Sequence, residues 1–126
     1  MVQVPVSVGE LIDKLSILQV KKIKVSNPDK LIFINKEYEL LYNMSSEFLE
    51  RKDISQIYND LVNTNLKLWE VEDELRVIES TKNFNDVFIE LARQVYYTND
   101  ERFRLKDKIN NLTNSEVREQ KDYKEY

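Results

Sequence analysis

From Ile54 to Leu112 the chain reads ISQIYNDLVNTNLKLWEVEDELRVIESTKNFNDVFIELARQVYYTNDERFRLKDKINNL. It contains neither glycine nor proline, and its apolar residues recur at steps of three and four. That period gathers them on one face of a helix, whereas a strand would need alternation. The spacing predicts a helix opened by Asp53 or Ser55, with Ile54, Ile57, Tyr58, Leu61, Leu68 and Leu75 inward and an end near Ser80. Thr81-Lys82-Asn83 makes the turn. A second helix follows with Phe84, Phe88, Leu91, Val95, Leu105 and Ile109 inward, lasting to about Leu112, where Thr113-Asn114-Ser115 ends it. So short a connection makes the two antiparallel.

Toward the N-terminus the same reading yields two more helices. Met1 to Val6, with Pro5, reads as an extended arm. Ser7-Val8-Gly9-Glu10 is a capping box, in which the Ser7 hydroxyl accepts from the Glu10 N–H and the Glu10 carboxylate reaches back. The helix it opens carries Leu11, Ile12, Leu15, Leu18 and Ile23 and runs to about Val25, before Ser26-Asn27-Pro28 breaks it. Asp29 is expected to cap the next helix, which reaches about Arg51. Leu31, Ile34, Tyr38, Leu41, Tyr42, Ser45, Phe48 and Leu49 lie on its inner side. Phe33, Leu40 and Met44 form a second apolar stripe, about 120° from the first. A helix with two stripes buries both, so either a second copy of the chain or its own arm or tail is expected on the outer one. The expected architecture is a single all-α domain over residues 1–126. It has an arm at 1–6, an up-down antiparallel bundle of about four long helices at 7–112 and a loose, charged tail at 113–126.

Composition agrees and removes many functions. There is one glycine, Gly9, and two prolines, Pro5 and Pro28, where average usage gives about 9 and 6. Turn-rich folds and glycine-rich phosphate loops are excluded. With no Cys and no His, the chain has no thiol nucleophile, no Ser-His-Asp triad, no disulfide and no Cys or His metal ligand. No catalytic residue, metal or cofactor is assigned. A net charge of −4 disfavours a generic grip on nucleic acid or anionic lipid. The one basic cluster, Lys21-Lys22-Ile23-Lys24, suits a solvated helix end. No apolar run reaches the ~18 residues of a membrane span, and the N-terminus lacks the marks of a signal peptide. A cytoplasmic protein is expected.

The informative residues are polar ones on apolar faces. Measured from Ile54, Asn65 falls at about 20°, Glu72 at about 0°, Arg76 at about 40° and Trp69 at about 60°. On the following helix Asn99, Arg102 and Lys106 lie within about 40° of the line through Val95. Folding the pair about residue 82 sets Asn65 level with Asn99 and Glu72 near Tyr96. Buried charge is costly unless paired, so a polar network between these two helices is expected. It has two readings. In one, Glu72–Arg76 is an i,i+4 ion pair and Asn65–Asn99 a register-fixing hydrogen bond. In the other, Arg76, Arg102 and Lys106 hold an anionic group, such as a phosphate or a sugar nucleotide, between walls of Tyr96 and Trp69.

One acidic pattern points to an enzyme. Glu47-x-x-Glu50 and Glu70-x-x-Asp73 have the spacing of the paired carboxylates that bind magnesium in all-helical nucleoside triphosphate pyrophosphatases. With 23 acidic residues in the chain, such pairs also arise by chance. Glu70 sits about 160° from the core line, facing water.

Three blocks carry a family resemblance. The opening Pro5-Val6-Ser7-Val8-Gly9-Glu10-Leu11-Ile12-Asp13-Lys14-Leu15-Ser16-Ile17-Leu18, the block Leu68-Trp69-Glu70-Val71-Glu72-Asp73-Glu74-Leu75-Arg76, and the run from Phe88 to Arg102 with Lys106 and Ile109-Asn110 resemble a small bacterial family catalogued as a domain of unknown function. The resemblance spans nearly the whole chain and assigns no reaction. It implies a weak link to surface-polysaccharide assembly, since similar proteins stand joined to or beside glycosyltransferases. The blocks include Glu72, Arg76, Asn99, Arg102 and Lys106. The sequence therefore reads first as a helical binding or assembly module, dimeric through its apolar stripes. An anion site is the second reading and magnesium-dependent pyrophosphate hydrolysis the third.

Overall fold

The computed structural model describes residues 1–126 and contains four helices: α1 (Val8–Lys24), α2 (Pro28–Leu49), α3 (Lys52–Thr81) and α4 (Asp86–Thr113). The all-α bundle expected from periodicity is what forms, and none of its helices is long and apolar enough to cross a membrane.

The helix ends follow local hydrogen-bonding chemistry. Ser7 Oγ accepts from the Glu10 N–H at 3.0 Å, as the capping box requires. The Glu10 carboxylate does not reach back; it pairs instead with Lys14 and Lys106. Asn27, and not Asp29, caps α2, its Oδ1 accepting from the N–H groups of Asp29 and Lys30 at 2.9 and 3.2 Å. Pro28 then takes the first helical position, where a missing N–H costs nothing. At the start of α3, Arg51 is the cap without a side-chain bond, and its guanidinium grips Asp53 at 2.8 and 3.2 Å. The Asp53 carboxyl is held below its ordinary range by that contact. Asn85 caps α4, so Phe84 lies before the helix, half exposed and edge-on to Phe88 at 4.9 Å. Ile23, expected inward, is also exposed at the end of α1. Beside it Lys24 pairs with Glu70 at 3.1 Å and Lys22 lies over the Tyr38 ring at 4.1 Å.

Helices α1 and α3 each touch all the others, whereas α2 does not reach α4. The core is Ile12 of α1, Ile54, Ile57 and Leu61 of α3, and Ile109 of α4. Phe48 and Leu49 of α2 pack against it from the side. At 1.5 Å per residue α1 is about 25 Å long and α3 about 45 Å, so the far half of the α3–α4 hairpin extends past α1. Only Ser45 is buried in the whole of α2, and Tyr42, expected inside, is partly exposed and stacked on Tyr38.

Gly9 lies where α1 meets α4. Its N–H donates to Asn110 Oδ1 at 2.7 Å, and a Cβ there would run into the Lys106 carbonyl oxygen. The tail has no helix, as expected, yet it is tied down. Buried Ser115 accepts from the Val8 N–H at 3.2 Å, and Arg118 donates to the Ser115 carbonyl at 2.8 Å.

Candidate functional site

The polar cluster forms around a residue absent from the expectation. Asp13 of α1, its side chain 1% exposed, accepts from Arg102 Nη2 at 2.7 Å and from Asn65 Nδ2 at 3.0 Å. Asn65 uses the same amide nitrogen to reach Ser16 Oγ at 2.8 Å, and the Ser16 hydroxyl donates to the Asp13 carbonyl at 2.6 Å. Arg102 Nη1 donates to Asn99 Oδ1 at 3.0 Å. The direct Asn65–Asn99 bond is not present; Asn65 reaches Asp13 directly and Asn99 is linked to it through Arg102. An α1 carboxylate stands between α3 and α4 and takes a bond from each. Two buried polar atoms, Thr98 Oγ1 and Arg102 Nε, have no partner.

One turn further along, Lys106 is 10% exposed and lies between Glu10 at 3.3 Å and Glu119 of the tail at 2.7 Å. Burial pulls its ammonium down. The hydrogen bond to Glu119 and the charges of Glu10, Asp13 and Glu119 outweigh that and hold it above the ordinary lysine value.

Five of the eight expected residues border one cleft of about 380 Å³ at the α1–α3 seam. Asn65 and Arg102 stand beside Ile17, Val20, Leu68 and Trp69, with Glu72, Asp73 and Arg76 also lining it. Glu72 and Arg76 form the expected i,i+4 pair at 3.7 Å, with Arg76 79% exposed. Asn99 touches the cleft only through Arg102. Lys106 and Tyr96 do not line it; Tyr96 stacks on Tyr97 and Tyr126 beside the tail. There the tail and α4 enclose a second, wider cleft, where Lys121 lies 5.4 Å from the Phe103 ring and 5.6 Å from that of Tyr123.

The metal pattern does not assemble. Glu70 is engaged with Lys24, Glu47 and Glu50 are exposed on α2, and no three acidic side chains converge closely enough to hold an ion. The outer stripe of α2 is a different matter. Phe33 is 75% exposed, Met44 61% and Leu40 42%, so neither the arm nor the tail covers it.

Asp13, Ser16, Glu10 and Glu119 are the functional-looking partners that periodicity did not single out. A signal existed on α1. Measured from Ile12, its apolar positions extend from about −120° at Leu18 through about 80° at Val20 to about 140° at Ile17, and Gly9, Ser16 and Asp13 fall at about 60°, 40° and 100°. An arc that wide belongs to a helix with neighbours on several sides, and an acid within it needs a cationic partner.

Residues 2–126 match a family model, DUF6165, described as a family of unknown function. Neither curated proteins nor solved structures gave a match.

Proposed function

The chain belongs to DUF6165, a family of unknown function, and on that footing we propose that it is a helical assembly module that self-associates through the outer face of α2. The observation carrying this reading is the uncovered stripe of Phe33, Leu40 and Met44. Clustered large apolar side chains on a small charged protein mark a contact surface more often than scattered ones do. The polar cluster supports an assembly role in another way, since Asp13 takes bonds from Asn65 and Arg102, and Arg102 from its other Nη reaches Asn99, which ties α1, α3 and α4 into one scaffold. Light scattering at micromolar concentration tests it. A dimer mass is expected, with Leu40→Asp reverting to the monomer at unchanged helical content. A strict monomer overturns the reading.

A second reading takes the α1–α3 cleft as a site for a phosphate- or carboxylate-bearing molecule. In its favour, Trp69 gives the cleft an aromatic wall and Arg76 a largely exposed guanidinium. Against it, both Nη atoms of Arg102 are committed to Asp13 and Asn99. A thermal-shift screen with nucleotides and sugar phosphates decides: a ligand at 100 times its Kd adds about 2.7 kcal/mol, and the gain should vanish in Arg76→Ala. No shift with any of them ends this reading.

A further inference from the structure

The outer face of α2 is a seam. Lys30, Phe33, Glu37, Leu40, Met44 and Glu47 alternate in steps of three and four and lie within about 60° of one line. All six are exposed, and none of the charged three enters an ion pair within the chain. Steps of three and four are the spacing of a two-helix coiled-coil contact.

We propose that this seam docks antiparallel on the α2 of a second copy of the chain, Lys30 opposite the partner's Glu47, Phe33 opposite the partner's Met44, and Glu37 opposite the partner's Leu40. The inference rests on the self-association reading and adds orientation and register to it. Charge complementarity selects the arrangement. A parallel, in-register pair stacks Lys30, Glu37 and Glu47 each on its own copy, three layers of like charge, which is unfavourable. An antiparallel pair slid by one heptad one way sets Glu37 against the partner's Glu47. Slid the other way, it sets both Phe33 and Leu40 against charged residues. The register proposed forms two Lys–Glu contacts at the ends and two Phe–Met contacts inside them, where thioether and ring attract. Glu37 opposite the partner's Leu40 costs some stability, as a polar residue in a seam does, and it penalises the alternatives more. The contact is isologous, so it closes at two copies and does not propagate.

The chain has no cysteine, so introduced thiols are the only ones present. Phe33→Cys and Met44→Cys variants are mixed and treated with a short bis-maleimide, which joins thiols a few ångströms apart. A cross-linked dimer containing one of each variant is expected. Neither variant alone should link, because equivalent positions 33 then lie about 16 Å apart along the axis at 1.5 Å per residue. Linking of Phe33→Cys to itself overturns the orientation. Separately, Lys30→Glu should weaken dimerisation roughly tenfold, because it turns two opposite-charge surface contacts into like-charge ones. Lys30→Glu with Glu47→Lys should restore it, and failure to restore overturns the register. Light scattering on the unaltered protein keeps the two proposals apart. A monomer, with the seam left to a foreign protein, removes self-association itself. A dimer without the mixed cross-link removes only the pairing.

Discussion

Gly9 is the chain's one glycine, and its φ is not positive. The structural need is proximity, because α4 passes so close that the position tolerates no Cβ. Gly9→Ala is expected to lower stability by about 1–3 kcal/mol, the usual cost of overpacking, read as a lower urea midpoint. Adding Asn110→Ala should not restore it, since that relieves the 2.9 Å approach to Asn110 Oδ1 but leaves the closer backbone carbonyl oxygen of Lys106 in place. Restoration would reverse that assignment. At this scale the sequence discloses half of each polar contact. Asn65, Arg102 and Lys106 stand out on otherwise apolar faces of long helices, where one stripe is plainly inward. Their partners Asp13 and Glu10 do not, because α1 is apolar over most of its circumference and the edge of so wide a face is ill defined.

Among elements, type and order are legible and ends are not. Pro28 fixes the α1–α2 break because a proline ring cannot continue a helix. The α2–α3 and α3–α4 breaks contain no such residue. Several polar side chains compete to cap them, and Asn85 wins where Phe84 had seemed part of the helix. With Gly9 used at a helix contact, α3 and α4 close on Lys82 and Asn114 in the left-handed region, at φ 57° and 50°, where glycine is the common choice. The second stripe of α2 is the clearest success of periodicity. Its angle from the inner face was derivable from spacing alone, and the exposure of Phe33, Leu40 and Met44 agrees. What spacing could not supply is how weakly α2 is held, with one buried residue in 22.

At the scale of the molecule, Lys106 joins α1, α4 and the tail through Glu10 and Glu119. Its folded pKa is raised, so its contribution is complete below the ordinary lysine value and is lost as pH rises through the folded one. The urea midpoint should therefore fall more steeply from about pH 10 upward in the unaltered protein than in Lys106→Met. Equal slopes would show that the ammonium adds nothing. Asp13–Arg102, Gly9–Asn110 and Val8–Ser115 lie 89, 101 and 107 residues apart. All three belong to α1, and all wait for the last quarter of the chain. During synthesis, which proceeds from the N-terminus, α1 emerges first and acquires the last of its three neighbours only when the chain is nearly complete. Until α4 arrives, Asp13 has no Arg102 to pair with and the face that will meet α4 is open to water.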